Sequence, residues 1–287
     1  MKIIKNPVFR SASFCSRIII MFLELSRAFF KRLGLHTVAD IGWVEFARHF
    51  PLMSRIPLVL KLQGYRYVVY VHEMALCYFV FYPDYEKTEK EIMLKLSPSV
   101  FIDIGAHVGY YTILAHELGA DKIISVEPDV RTFRILERVI DVNKLDNITV
   151  INRAVWDRND ITLKLHLSSH AGHSSVFASN LKERDTHSTI EIKTVTLEEI
   201  CQKMKLDKVD LIKIDVEGAE FNVLQGAVEV INKFRPLIIV EIKNINTSSV
   251  LNFLKSMRYN FLGPFSYGEN YLCIPEERYP SLHSKLK

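Results

Sequence analysis

Residues 101–112 read FIDIGAHVGYYT, a short apolar strand that runs through a glycine turn into a helix. Asp103 lies near the end of the strand, and Gly105 and Gly109 shape the turn that follows. Open α/β sheets bind their ligands beyond the carboxyl ends of the strands. The stretch therefore predicts a doubly wound, Rossmann-like sheet with Asp103, Gly105 and Gly109 at the edge where a cofactor would bind.

The chain beyond this stretch alternates strand and helix patterns, as a mostly parallel sheet requires. A terminal antiparallel strand is expected near Tyr271–Ile274, and one continuous helix is predicted from about Ala219 to Lys233. A polar insertion over residues 157–191 interrupts the alternation. The predicted strands of the main sheet are residues 101–104, 123–126, 148–155, 209–214 and 237–242.

The sequence before the sheet divides into two segments. Residues 1–36 form a basic amphipathic segment, and residues 37–98 form a cap with a β-hairpin that turns at Gln63-Gly64. Residues 99–287 then make up the α/β domain. This division predicts a small helical and hairpin region in front of one large domain.

The first segment holds most of the positive charge. It carries seven basic residues against Glu24 alone, whereas the remaining chain has 30 basic and 32 acidic residues. Apolar residues recur at helical spacing over residues 11–33. The continuous apolar run of residues 18–23 is far shorter than the roughly 20 residues of a membrane span. Packing on the protein, self-association and peripheral contact with the inner face of a membrane stay open for this helix.

Composition excludes several classes of protein. With 287 residues, 48% of them hydrophobic, the chain can bury a full core. Its four cysteines form no C-x-x-C pair, which disfavours a zinc ribbon or a disulfide framework and favours a reducing cytoplasm. The body of the chain has no net basic excess, so no nucleic-acid partner is expected.

Glu127 ends the second predicted strand, 22 residues after Gly105. A carboxylate at that tip can accept hydrogen bonds from both hydroxyls of a ribose. His107 stands where a dinucleotide fingerprint has its second glycine, and its imidazole would crowd a pyrophosphate. Glu127 therefore favours a ligand with a ribose, such as a nucleoside, and His107 disfavours NAD.

A second acidic cluster follows the fourth predicted strand. The stretch DLIKIDVEGAEF, residues 210–221, places Asp215, Glu217 and Glu220 within six positions. Carboxylates crowded at a strand tip repel one another unless a cation lies nearby. Helix capping explains Glu220, whereas Asp215 and Glu217 are candidates for chemistry near a cationic ligand.

Four motifs in order resemble the FkbM-type methyltransferases, which use S-adenosylmethionine. They are D-x-G-x-x-x-G from Asp103, Glu127-Pro128, Ala154-Val155 and the KIDVEGAE run of residues 213–220. The resemblance covers about residues 101–241. His107 departs from it, since many relatives have asparagine there, and the insertion shares only a short likeness at residues 172–175.

The resemblance implies an S-adenosylmethionine-dependent O-methyltransferase. Its acceptor would be a hydroxyl on a sugar, a glycan, a lipid-linked molecule or another small molecule. A hydroxyl acceptor needs a base, and Asp215 is the first candidate, followed by Glu217 and His107. The implied cofactor-binding residues are Asp103, Gly105, Gly109, Glu127, Ala154 and Asp215.

Other functions remain as alternatives. An RNA or other nucleic-acid methyltransferase is disfavoured because neither a basic groove nor stacking aromatics are evident. A non-catalytic nucleotide-binding scaffold is the alternative outside enzymes. His166, His170 and His173 have a spacing that a metal could use, but the polar insertion offers no clear fourth ligand, so no metal is expected.

Overall fold

The computed structural model describes residues 8–10, 57–62, 64–70, 73, 86–168, 174–178, 188–243 and 247–286. The chain divides into two compact units. One comprises residues 1–85, 134–145 and 169–171, and the other comprises the rest. The predicted amphipathic helix of residues 11–33 lies outside the described residues, as do His170 and His173.

The smaller unit contains the hairpin that the sequence predicts. β1 (Val8–Arg10) pairs antiparallel with β2 (Pro57–Leu62), and β2 pairs antiparallel with β3 (Tyr65–Tyr70). Gly64 adopts φ +98° in the turn, a conformation that costs glycine little. The hairpin prediction is confirmed.

The larger unit carries two sheets. Its strands, among the described residues, are β4 (Val100–Ile104), β5 (Lys122–Val126), β6 (Ile148–Ile151), β7 (Ala154–Val155), β8 (Thr162–Leu167), β9 (Ser188–Val195), β10 (Leu211–Ile214), β11 (Leu237–Glu241), β12 (Tyr259–Leu262) and β13 (Asn270–Pro275). The main sheet has the order β12-β13-β11-β10-β4-β5-β6. β13, the last described strand, runs antiparallel to both of its neighbours, β11 and β12, whereas the other neighbouring pairs of this sheet are parallel. The predicted fold class is therefore confirmed.

The described residues also contain α-helices. They are α1 (Lys87–Leu96), α2 (Tyr110–Glu117), α3 (Val130–Asn143), α4 (Leu197–Lys203), α5 (Glu220–Gln225), α6 (Val228–Phe234), α7 (Thr247–Ser256) and α8 (Tyr279–Leu286). Buried residues of α4 to α7 form one apolar core with Ile102, Ile104, Ile212 and Ile214. The alternate residues Asp103 and Lys213 therefore face the other side, where Thr112 of α2 bonds to Asp103.

The third strand is shorter than predicted. Residues 148–155 were expected to form one strand, but β6 ends at Ile151 and β7 pairs parallel with β9 in a separate small sheet, β7-β9-β8. Asn152 and Arg153 turn the chain between them. The Asn152 amide donates to the carbonyl of Glu127 at 2.8 Å, and the Arg153 guanidinium donates to the carbonyl of Thr194 at 3.0 Å.

The helix predicted over residues 219–233 is divided into α5 and α6. The break falls at Gly226, whose carbonyl accepts hydrogen bonds from the backbone of Leu197 and Glu198. A Cβ at Gly226 would lie 1.9 Å from the carbonyl oxygen of Trp156. Close backbone contact rather than helical periodicity decides the local structure here.

Membrane-spanning helices were sought among the described residues alone. None of these helices combines the length and the apolar character that crossing a bilayer requires.

Candidate active site

The glycine turn after β4 brings three backbone segments together. Gly105 donates its N–H to the carbonyl of Val126 at 2.9 Å and adopts φ +81°. A Cβ on Gly105 would lie 1.7 Å from the carbonyl oxygen of Asp215. Gly109 adopts φ +90° at the start of α2. The turn can therefore hold its path between β5 and β10 only because residue 105 has no side chain.

Glu127 connects the end of β5 to this turn. Its Oε2 accepts the backbone N–H of His107 at 2.8 Å. Its Oε1 accepts the N–H of Asp129 at 2.8 Å and the hydroxyl of Thr132 at 3.0 Å. A carboxylate has about four acceptor positions, so the contacts among the described residues leave one position, on Oε2, for a ligand hydroxyl. The structure thus brings Glu127 and the glycine turn together, as the sequence predicts.

Burial and the neighbouring Asp129 raise the pKa of Glu127 to about 8, although its three hydrogen-bond donors oppose that rise. Burial also acts to raise the pKa of Asp129, but hydrogen bonds and the charge of Arg131 bring it below its ordinary value. Two adjacent carboxyls at one strand tip therefore differ in protonation near neutral pH. Such a separation of pKa values is a common property of functional sites.

The insertion is attached to both loops of the site by adjacent serines. Ser174 donates to the Asp129 carboxylate at 3.1 Å, and Ser175 donates to the carbonyl of Glu217 at 2.7 Å. Arg131 donates to Asp129 and to the carbonyl of Ser168. Ser174 and Ser175 belong to residues 172–175, the part of the insertion that resembles the FkbM-type methyltransferases. Their contacts place this part of the insertion beside the candidate site.

Asp103 lies inside the protein. It is 2% exposed, and its Oδ2 accepts the Thr112 hydroxyl at 2.6 Å. The Thr112 and Ser125 hydroxyls lie 2.8 Å apart. Burial raises the pKa of Asp103 to about 6. The carboxylate supports the turn from within, and its contact with a cofactor stays a prediction.

The loop after β10 carries the predicted acidic residues at different depths. The Asp215 side chain is 27% exposed, and its Oδ2 lies 3.4 Å from the ammonium of Lys213. Glu217 adopts φ +53° and its carboxylate lies 3.5 Å from the ammonium of Lys243. Glu220 is buried and accepts the N–H of Gly218 at 2.7 Å. Glu220 lies in the first turn of α5, where a negative charge favours the helix dipole.

Two further acidic residues lie beside Asp215. Carboxylate oxygens of Glu86, Asp215 and Glu241 all lie within 4.8 Å of one another. Burial raises the pKa values of Glu86 and Glu241. Lys213 and Lys243 place ammonium groups among these carboxylates. The lysines already supply positive charge there, so the geometry gives no reason to assign a metal.

Ala154 belongs to β7 of the small sheet. Its side chain is 7% exposed and packs with Leu165, Leu167 and Ile192 of the small sheet. A contact between Ala154 and the cofactor stays a prediction. His166, the one described member of the histidine trio, exchanges backbone hydrogen bonds with Ser175.

Sequence reasoning missed several residues of the site. A charged residue inside the apolar strand LIKI was a usable signal for Lys213, because an unpaired charge is rarely buried. Glu241 at the tip of β11 had the same kind of signal. Glu86 had none, since it comes near Asp215 only through the tertiary fold.

His107 offers a test of its own role. It adopts φ +54° and donates its N–H to Glu127. Asparagine adopts this left-handed conformation readily and keeps the N–H. We expect His107→Asn to retain any catalytic activity within a few-fold and to leave stability unchanged or raised by up to about 1 kcal/mol. Enzyme assays and urea unfolding measure both.

His107→Ala is the matched control for this substitution. It keeps the same N–H but suits a positive φ less well than asparagine does. It is expected to lower stability by about 1 kcal/mol. A loss of turnover of a hundredfold or more in both variants would instead make the imidazole part of the catalytic machinery.

The sheet order, the glycine turn and the acidic tip of β5 define a Rossmann-like methyltransferase fold. The family model of the methyltransferase FkbM domain matches residues 103–261. This chain belongs to the FkbM methyltransferase family.

Individual relatives are distant or match only in part. Methyltransferase 1 of Beauveria bassiana is 23% identical over 146 residues, which cover 45% of this chain and 58% of that protein. Rat protein arginine N-methyltransferase 7 is 46% identical over 43 residues, which cover 15% of this chain and 6% of that protein.

A solved structure of similar type is the methyltransferase FkbM of Methylobacillus flagellatus. It has a TM-score of 0.47 and 17% identity, and the match covers 71% of this chain and 54% of that one. The chain thus spans little more than half the length of the fungal and bacterial relatives, and a small part of the rat protein.

Proposed function

We propose that the protein is an S-adenosylmethionine-dependent methyltransferase that methylates a hydroxyl group. The observation that carries the proposal is the bond between the glycine turn and the carboxylate at the tip of β5, His107 N–H to Glu127 Oε2. It orients a carboxylate with remaining acceptor capacity toward the edge where α/β sheets bind their ligands.

The residues present fit this cofactor in two respects. Gly105 keeps the backbone of the turn open at a point that a Cβ would fill. Glu127 has an acceptor position for a ribose hydroxyl.

Bound S-adenosylmethionine would supply a methyl group on a positively charged sulfur. Asp215 is the residue best placed to serve as base, because its carboxylate is partly exposed at the tip of β10. It would take the proton from the acceptor hydroxyl as the new oxygen–carbon bond forms and the methyl–sulfur bond breaks, which would leave S-adenosylhomocysteine. Positioning of the acceptor supplies much of the rate acceleration in such a reaction.

Glu217 and His107 are less suited to the role of base. The Glu217 carboxylate is 15% exposed, against 27% for the Asp215 side chain. His107 contributes its backbone N–H to Glu127. Both residues remain second candidates behind Asp215 for this role.

The proposed acceptor is a sugar, a glycan, a lipid-linked molecule or another small molecule in the cytoplasm. The predicted amphipathic segment of residues 11–33 would suit an acceptor displayed at a membrane surface. Peripheral membrane contact and self-association through this segment remain proposals, since the segment lies outside the described residues.

Two experiments test the proposal. Thermal unfolding should show stabilisation by S-adenosylmethionine and S-adenosylhomocysteine but not by NAD. Transfer of a labelled methyl group to cell extract, fractionated into lipid, glycan, small-molecule and nucleic-acid pools, should label one of the first three. Stabilisation by none of the nucleosides would favour a scaffold, and label confined to nucleic acid would overturn the acceptor class.

Binding is also expected to depend on pH. Ribose hydroxyls donate to the ionised form of Glu127, whose pKa burial raises to about 8. Affinity for S-adenosylhomocysteine should therefore rise as pH increases through about 8, and be roughly tenfold lower at pH 7 than at pH 9. Calorimetry across this range measures the effect.

Glu127→Gln is the control for this pH dependence. It cannot ionise, so it should bind more weakly, and its affinity should vary less between pH 7 and pH 9 than that of the wild type. An equal pH profile in the wild type and the variant would remove Glu127 from the ribose site.

A further inference from the structure

Lys213 is a buried cation within the main sheet. It lies in β10, where its three strand neighbours are apolar, and it is 1% exposed. In the parallel register it stands next to Asp103 of β4. Its ammonium lies 5.4 Å from the ring centroid of Tyr111. Burying a lysine is costly unless carboxylates compensate for its charge.

Four carboxyl groups provide that compensation. The Asp215 Oδ2 lies 3.4 Å from the Lys213 ammonium. Oxygens of Glu86 and Glu241 lie within 4.8 Å of an Asp215 oxygen. Although burial acts to lower the pKa of Lys213, the charges of Asp215, Glu86, Glu241 and Asp103 bring it above its ordinary value. Lys213 is therefore charged and lies among all four groups.

The four carboxyl groups differ in their access to solvent. Asp103 and Glu86 are almost fully buried, at 2% and 3% exposure. The Glu241 side chain is 13% exposed and the Asp215 side chain is 27% exposed. Asp215 is thus the member of the cluster that a bound substrate reaches most readily. An effect of Lys213 on a reaction would act chiefly through Asp215.

We propose that Lys213 is a positioning residue for methyl transfer, the counter-ion that holds the Asp215 carboxylate in place at the tip of β10. This inference rests on the proposed function for its link to the reaction. Its electrostatic part, the pairing of one buried ammonium with the cluster, stands on the geometry alone.

Other titratable and charged groups also face this part of the site. They are Tyr111 of α2, Glu217 in the loop after β10, Glu241 of β11, Lys243 in the loop after β11 and Glu269 just before β13. Lys243 contacts Glu217, Glu241 and Glu269 and is therefore engaged with its own carboxylates. Lys213 is the lysine in contact with Asp215.

The main test is Lys213→Met with three readouts. The kcat should fall at least tenfold while affinity for S-adenosylhomocysteine stays within about threefold. The acid limb of the pH profile of kcat should move to higher pH by one unit or more, because the remaining carboxylates disfavour another negative charge. Burial raises the pKa of Asp103 to about 6 while the charge of Lys213 opposes that rise. In the variant this pKa should therefore rise further by a similar amount, as carbon-detected NMR measures.

Lys213→Arg, which keeps the charge, should restore the position of the acid limb. Lys193→Met, at an exposed position of β9, should change none of the readouts. If Lys213→Met does not fold, the same measurements on Lys213→Met/Glu241→Gln, compared with Glu241→Gln alone, should show the same upward movements.

The outcomes separate this inference from the proposed function. An unchanged Asp103 titration would overturn the pairing of Lys213 with the cluster. A raised Asp103 titration with an unmoved acid limb would overturn the positioning role. Absence of methyl transfer by the wild type would overturn the proposed function, while the Asp103 titration would still decide the electrostatic part.

Discussion

Gly105→Ala is expected to destabilise the protein by about 2–5 kcal/mol, as the sum of two effects. The positive φ of +81° costs an alanine about 1–2 kcal/mol. The added Cβ would lie 1.7 Å from the carbonyl oxygen of Asp215, so two backbone segments must move apart. Forced displacement in a packed interior costs about 1–3 kcal/mol. Urea unfolding of the wild type and the variant measures the loss.

Gly119→Ala separates the two effects. Gly119 has nearly the same φ, +82°, but no atom lies within 4 Å of the Cβ position. This variant should lose only about 1–2 kcal/mol. Equal losses at the two positions would contradict the close approach of the turn to β10. Because the Asp215 backbone moves in Gly105→Ala, the folded fraction of that variant should also lose turnover.

Asp215→Asn is expected to lower methyl transfer by about a hundredfold or more, the usual contribution of a general base. The substitution keeps the shape of the side chain but removes its ability to accept a proton. Affinity for S-adenosylhomocysteine should change by no more than a few-fold, because Glu127 and the glycine turn are unaltered. Single-turnover assays and calorimetry measure the two quantities separately.

Asp210→Asn is the matched control, since Asp210 lies at the opposite end of the same strand. Its carboxylate accepts the backbone N–H groups of Ser99 and Val100, at 3.0 and 2.8 Å. The control should lower stability and leave the turnover of the folded enzyme unchanged. Survival of full turnover in Asp215→Asn would remove that residue from the role of base, and a parallel test of Glu217→Gln would then show whether its carboxylate replaces it.

The main sheet was predictable because its local signals agree. β4 and β10 are short apolar runs, and glycine and acidic residues follow them. The hairpin of β2 and β3 was predictable from alternation around Gln63-Gly64. These patterns depend only on neighbouring residues, so a single sequence contains them.

The differences between the predicted and the observed strands and helices come from contacts between residues that are distant in the sequence. Gly226 interrupts a periodic helix because its backbone packs against Trp156. Ala154-Val155 leaves the main sheet because β9, about 40 residues later, offers a pairing partner. Local periodicity contains no information on either contact.

In the candidate site, too, some residues were predictable from their neighbours in the sequence and others only from the tertiary fold. The sequence indicated Glu127, Gly105 and Asp215 because each follows a predicted strand. It did not indicate that Lys213 would lie next to Asp103, since that depends on the register of β10 with β4. Glu86 enters the cluster from a segment before the main sheet, through a contact with Tyr111 that no spacing rule predicts.

Calorimetric titration of the folded wild-type protein with S-adenosylhomocysteine at about pH 9, where Glu127 is largely ionised, tests the central claim most directly. The account predicts saturable binding of one nucleoside per chain. Absence of both heat and competition with S-adenosylmethionine, in protein shown to be folded, would contradict it.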